Sequence, residues 1–221
     1  TLTENRMTVV VLDVAGHELD LTEEMKGDSI LATRNLGAPI ESSLSLLTLG
    51  GALCNDARLV VEDNDRYHTI GDPTEGALVA AAAQLGYWKS SLDADFPRTA
   101  EVPFDSERKR MTTIHHVTNS RPDALAGLDV GSHPYLAFIK GSVDGMLSLS
   151  SHVWLEGRAE VMNDGWRERI ESANERLARK GMRVLGVAYR MLPNIPGVLN
   201  AEIETDLTFV GLFGMIDPPR A

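Results

Sequence analysis

Five β-type runs set the architecture this chain can adopt. They are AEVPF (100–104), MTTIHHV (111–117), YLAFI (135–139), MRVLGVAYR (182–190) and LTFVGLFGMI (207–216). The first two are parted only by the charged stretch 105–110, and the third follows after a Pro- and Gly-rich loop at 119–134. Another strand is predicted near the start, where Met7, Val9 and Val11 alternate with their neighbours before a turn at Gly16–His17. Helical patterning is confined to 41–54, to the alanine-rich run after Pro73, and to the charged amphipathic stretch 163–180, stopped by Gly181. Strands that follow one another, with few helices between, predict an antiparallel or mixed sheet with helices packed on it. The fold class expected is a single α/β domain with a mostly antiparallel sheet. Residues 14–38 read as loop, 62–66 (EDNDR) as a solvated turn and 193–200 as a turn. No internal repeat or low-complexity tract is present.

With 221 residues the chain can bury a sizeable core. Its net charge of −11 argues against a nucleic-acid binder, whose affinity depends on neutralising phosphates, but leaves room for a local basic pocket for a small anion. The single cysteine, Cys54, excludes an internal disulfide and a CxxC metal site, and suggests a reducing setting. No apolar run approaches the roughly 18 to 20 residues that cross a bilayer. No secretory leader pattern is seen, and the absence of an initiator Met suggests a piece cut from a longer chain.

Four motifs could carry chemistry. GDPTEGAL (71–78) has the glycine spacing of a phosphate-binding P-loop but lacks the lysine that such a loop needs. Asp72 as N-cap, Pro73 at the first helical position and Glu75 at the capping-box position account for the stretch without a ligand. In VPFDSERKRMTTI, Phe104 ends a strand and Lys109 starts the next, so a ring and a cation lie a hairpin apart. The ring could stack on a base and the cation meet a phosphate; a core Phe and a solvated basic turn is the alternative. In YLAFIKGSVDGML, Gly141 permits close approach of a ligand to the backbone, and Ser142 can cap a following helix. In RVLGVAYR, Arg183 and Leu185 share one face of a strand, and the Arg needs an anion, either a ligand or a carboxylate. His115 and His116 point to opposite faces and cannot chelate one metal. No cluster has metal-site spacing, and no G-x-S-x-G elbow is present.

In this order, TLTEN, GDPTEGAL, FDSERKRM, KGS, RVLGVAYR and GMIDPPR resemble the nucleotide-binding domain of P-type cation-transporting ATPases, in the branch of calcium and sodium/potassium pumps. The resemblance runs end to end. It implies one domain, 1–221, lying between two hinges to a phosphorylation domain, with remnants at 1–5 and 217–221; the phosphorylated Asp would precede TLT, outside the chain. It implies that Glu75 hydrogen-bonds the adenine amino group, that Phe104 stacks on adenine and that Leu185 packs on it. Lys109 would lie near the phosphates with Met111 beside it on the same strand. Lys140, Gly141 and Ser142 would form the pocket floor, and Arg183 would reach the phosphates. Two departures stand out: Ser142 replaces the usual Ala after Lys-Gly, and Ser106 stands where animal calcium pumps carry a phosphate-contacting Arg.

The function implied is ATP binding, with presentation of the γ-phosphate to an Asp on the neighbouring domain as MgATP, inside an ion pump that moves a cation, calcium by branch. The fragment itself would bind ATP or ADP without efficient hydrolysis, hold no metal of its own and carry no catalytic residue. Its partners would be the phosphorylation and actuator domains of the same chain, and it would be a monomeric cytoplasmic domain of a membrane protein, not itself membrane-inserted. A non-catalytic interaction or regulatory domain on the same scaffold is the alternative; a self-contained kinase or P-loop enzyme lacks its motifs.

Overall fold

The computed structural model describes residues 7–14, 16–22, 38–61, 67–117, 125, 128, 130–197, 199 and 201–217. Among them the strands are β1 (Thr8–Val14), β2 (His17–Asp20), β3 (Arg58–Val61), β4 (Tyr67–Ile70), β5 (Arg98–Asp105), β6 (Arg110–His116), β7 (Tyr135–Gly141), β8 (Ser150–Leu155), β9 (Arg158–Val161), β10 (Arg183–Leu192) and β11 (Leu207–Ile216). The helices are α1 (Ala38–Leu53), α2 (Pro73–Gln84), α3 (Lys89–Asp95), α4 (Val143–Leu149) and α5 (Asp164–Arg179).

The main sheet has nine strands, with the path β2-β1-β11-β10-β7-β6-β5 and a branch in which β8 pairs with β11 and β9 with β8. All pairs are antiparallel except β8 with β11, so the sheet is mixed and mostly antiparallel, as the strand-rich order predicts. A separate two-stranded sheet joins β3 and β4.

Alternation along the strands splits the core between the two faces. On β7, Leu136 and Phe138 join a core shared with α1, α2 and α3, while Ala137 and Ile139 join one shared with α4 and α5. Helix α1 is apolar around most of its girth, with Leu46, Leu47, Leu49 and Leu53 fully buried. A glycine pair lets it lie close on the sheet. A Cβ at Gly50 would stand 2.6 Å from Val187, and one at Gly51 would stand 2.7 Å from the Phe213 ring. On the opposite face α5 buries Ile170, Ala173 and Leu177, a helical stripe, and Asn163 caps it by accepting from Trp166 N at 2.9 Å.

Several elements depart from the sequence reading. His17–Asp20 forms a strand where a loop is expected, and β3, α3, β8 and β9 lie in segments with no predicted element. Most are short and line an edge: β2 (HELD) and β9 (RAEV) are largely exposed, so no buried face imposes an alternation on their sequence. The expected turn at 62–66, much of the 119–134 loop, the first hinge remnant and residues 218–221 of the second lie outside the described residues.

Candidate functional site

One end of the sheet gathers the residues singled out from the sequence. Antiparallel pairing brings the end of β5, the start of β6, the end of β7 and the start of β10 to the same edge. Register makes this explicit: Asp105 pairs with Arg110, Arg110 with Gly141, and Gly141 with Gly186. One row inward, Met111 pairs with Lys140 and Lys140 with Val187. Met111, Lys140 and Val187 therefore share the face covered by α1 and α2, and Leu185 and Arg183 continue along it by alternation. Met111 is buried and Leu185 packs partly buried against the same core.

The first turn of α2 stands over this edge. Asp72 caps it through Oδ1, which accepts from Thr74 N at 2.9 Å and Glu75 N at 3.2 Å, with Pro73 at the first helical position. Gly71 sits at φ 126°, where an L side chain is strained, and a Cβ at Gly76 would lie 2.6 Å from Thr69 Oγ1. Both glycines of the P-loop-like spacing are thus needed by the turn and by packing on β4, and the stretch is a capped helix start.

Glu75 does not fold back on the cap as a capping-box residue would. Its Oε1 accepts from Lys140 Nζ at 2.7 Å, and its Oε2 accepts from Asp56 N at 2.9 Å. Asn55, fully buried just after α1, steadies the same point: its Nδ2 donates to Glu75 O at 2.9 Å and to Gly51 O at 3.1 Å. Arg98 holds that corner by donating to Asn55 O at 2.7 Å and pairing with Asp56 at 2.7 Å. Each carboxylate oxygen of Glu75 keeps a lone-pair direction for a further donor. Arg183, expected to need an anion, is exposed and donates to Thr74 Oγ1 at 2.5 Å, so it too reaches the first turn of α2.

The β5–β6 hairpin carries the ring and the cation. Phe104 is 64% exposed, so it is not a core residue. Lys109 lies in the turn, at φ 53°, rather than starting the strand, and β6 begins at Arg110. The turn is closed by Lys109 N donating to Asp105 O at 2.7 Å, and Ser142 N donates to Lys109 O at 3.0 Å. Asp105 Oδ1 accepts from the amides of Arg108 and Glu107, which holds its carboxyl below the usual range.

Two expectations for the third motif change. A Cβ at Gly141 would lie 2.5 Å from both Lys109 O and Arg110 Cβ. The space left by the missing side chain is filled by the hairpin backbone, so glycine here serves strand-to-turn packing rather than ligand approach. Ser142 occupies the N-cap position of α4, but its side chain makes no capping hydrogen bond.

The sequence reading missed the residues that hold this edge from outside it. Asn55, Asp56 and Thr74 buttress Glu75 and Arg183, and Glu204 binds Arg108 and Arg110. These contacts span from 19 to 109 residues of sequence, and no local pattern marks them.

Chemically, the edge offers an exposed aromatic ring, three cations (Lys109, Lys140 and Arg183) and a fixed carboxylate, on a chain of net charge −11. Such a set can take a flat, hydrogen-bonding base and an anionic tail. Among the described residues no group of three or more His, Cys, Asp or Glu could hold a metal ion, and no helix is long and apolar enough to cross a membrane.

A family model described as P-type ATPase, cytoplasmic domain N, matches residues 43–221. Over the whole chain the sequence is 33% identical to calcium-transporting ATPase 1 of Lactococcus lactis, of which it covers 21%. It is 33% identical to the cation-transporting ATPase pma1 of Synechocystis, covering 23% of it, and 32% identical to the calcium-transporting ATPase of Bacillus subtilis, covering 24%. The chain thus spans under a quarter of the length of these relatives. Its sheet, its helix layers and the motifs gathered at one edge agree with the match: the chain belongs to the P-type cation ATPases, as their cytoplasmic domain N.

Proposed function

We propose that the chain binds ATP at this sheet edge and, within a larger P-type pump, presents the γ-phosphate to an Asp on a neighbouring phosphorylation domain. The observation that carries the reading is the exposed Phe104 ring standing on the same edge as Lys109, Lys140 and Arg183. Adenine lies against Phe104 and Leu185, with a free lone pair of Glu75 accepting from its amino group. Lys109 and Arg183, both exposed, face the phosphates, and Lys140 sits at the floor as the partner of Glu75.

The chain's part in phosphoryl transfer is positioning. Mg2+ offsets phosphate charge when bound. Residues 1–221 form one domain joined by hinges to phosphorylation and actuator domains of a membrane protein, on its cytoplasmic side. The transported ion is a cation. Relatives named as calcium-transporting make calcium the first one to test.

The test is a calorimetric titration with ATP, ADP and AMP, with and without Mg2+. Saturable binding of all three, little changed by Mg2+, is expected. No ATP binding, or strict dependence on Mg2+, overturns the reading; the former also favours an interaction or regulatory domain.

A further inference from the structure

Behind the hairpin, on the opposite face of the sheet, lies a fully buried carboxylate. Glu204 closes a 3-10 turn (Ala201–Glu204) just before β11 and has no exposed surface. Arg108 Nη1 donates to its Oε1 at 2.5 Å, Thr112 Oγ1 donates to the same oxygen at 2.7 Å, and Arg110 Nε donates to Oε2 at 2.7 Å. Burial pushes the Glu204 carboxyl up, but these hydrogen bonds from Arg108, Thr112 and Arg110 more than offset it and hold it below its ordinary range.

The geometry of this cluster is specific to the hairpin. Thr112 is in register with Ile139, which faces the α4 and α5 core, as does Ile203 next to Glu204. Met111 and Lys140 face the other way, towards α1 and α2. Arg108 and Arg110 flank Lys109, the exposed turn residue at φ 53°. Arg108 also donates through Nη2 to Pro103 O at 2.7 Å, the carbonyl just before Phe104. One guanidinium therefore ties the end of β5 to Glu204, and a second ties the start of β6. From the other side, Ser142 N holds Lys109 O. Hydrogen bonds within the turn close it on itself, and the paired arginines with their shared anion anchor it to the back of the sheet.

We propose that Glu204 is a positioning residue for the nucleotide site: from the back of the sheet, through Arg108 and Arg110, it fixes the hairpin that carries Phe104 and Lys109. This rests on the ATP-binding reading above. Glu204 touches no ligand itself. Its effect on affinity passes through the placement of the two residues in front.

The test uses the 221-residue chain and ATP titration of wild type, Glu204→Gln, Lys109→Ala and the double variant, with thermal unfolding recorded for each. Glu204→Gln is expected to remain folded and to weaken ATP about tenfold. The double variant is expected to bind no more than about twofold weaker than the weaker single, because a displaced hairpin no longer presents Lys109. Backbone amide resonances of the hairpin should shift without ligand. An unchanged affinity in folded Glu204→Gln, or a double variant whose loss is the full product of the singles, overturns the proposal. Arg108→Lys covers the case in which Glu204→Gln fails to fold. A lysine cannot reach Glu204 and Pro103 O together, so affinity should drop at least threefold, and wild-type affinity would overturn the idea. Absence of ATP binding by wild type would instead defeat the function proposed above.

Discussion

Glu75 and Lys140, 65 residues apart in sequence, meet at 2.7 Å between the first turn of α2 and the end of β7. Their side chains are 17% and 7% exposed, so each is the other's main counter-charge in a partly dry setting. Removing one partner of a buried pair costs about 3 kcal/mol or more, whereas removing both can be nearly neutral. Glu75→Gln and Lys140→Met should therefore each lower stability in denaturant titrations by roughly that amount, with Glu75→Gln somewhat milder because the amide oxygen can still accept from Asp56 N. The double variant should recover at least about 1 kcal/mol relative to the sum. Additive losses would show that the pair is not coupled.

Phe104 gives the opposite profile. Because it is 64% exposed, Phe104→Ala should leave the melting temperature within a few degrees. A stacked base is worth about 1 to 3 kcal/mol, so ATP affinity should fall tenfold or more. Loss of stability with affinity intact would mean that the ring packs in the protein rather than on the base.

Gly141→Ala probes the seam between β7 and the hairpin. The added methyl would press on Lys109 O and Arg110, backbone and stem atoms that cannot turn aside. Overpacking of this kind costs about 1 to 3 kcal/mol. Nucleotide affinity should fall as well, because the strain is relieved by moving Lys109. A neutral result in both assays would show that the two strands separate more easily than their hydrogen bonds imply.

His115 sets a pH limit. It is fully buried, with Nδ1–H donating to Phe96 O at 2.9 Å and Nε2 accepting from Thr113 Oγ1 at 2.8 Å, which fixes a neutral tautomer. Burial lowers its pKa to about 4; the carbonyl hydrogen bond opposes the shift, and the charges of Arg98 and Lys89 add to it. The folded value lies below the unfolded one of about 6.5, so the neutral ring's contribution is fully present above that pH. It is lost as pH falls from about 6.5 to 4, because the unfolded chain takes up a proton that the folded one refuses. The loss is about 3 kcal/mol at most. His115→Gln should flatten stability across that window; an unchanged slope would place the titration elsewhere.

Phosphate-loop spacing and capped-helix chemistry compete for the same eight residues at 71–78, and the sequence could already decide between them. The missing lysine and the Asp72–Pro73 pair are local facts, and the structure shows the capped helix start in the Asp72 hydrogen bonds and the φ of Gly71. The long strands and helices were legible for the same reason. β7, β10 and β11 are buried on both faces for much of their length and so read as near-continuous apolar runs, while α5 buries one stripe and so carries a period of 3.6. The short edge elements β2 and β9 bury little and leave no such trace.

What the chain by itself determined was the strand-rich α/β class, the capped start of α2 and the set of residues to watch. Only the tertiary structure decided how those residues are committed. It turned Glu75 from a capping residue into the partner of Lys140, gave the space beside Gly141 to the hairpin backbone, and put Glu204 behind Lys109. The reason is physical. Caps and periodicity depend on neighbours within a few residues, whereas a buried charge must find its counter-charge wherever the sheet brings one, and register across β5, β6, β7 and β10 fixes that meeting point.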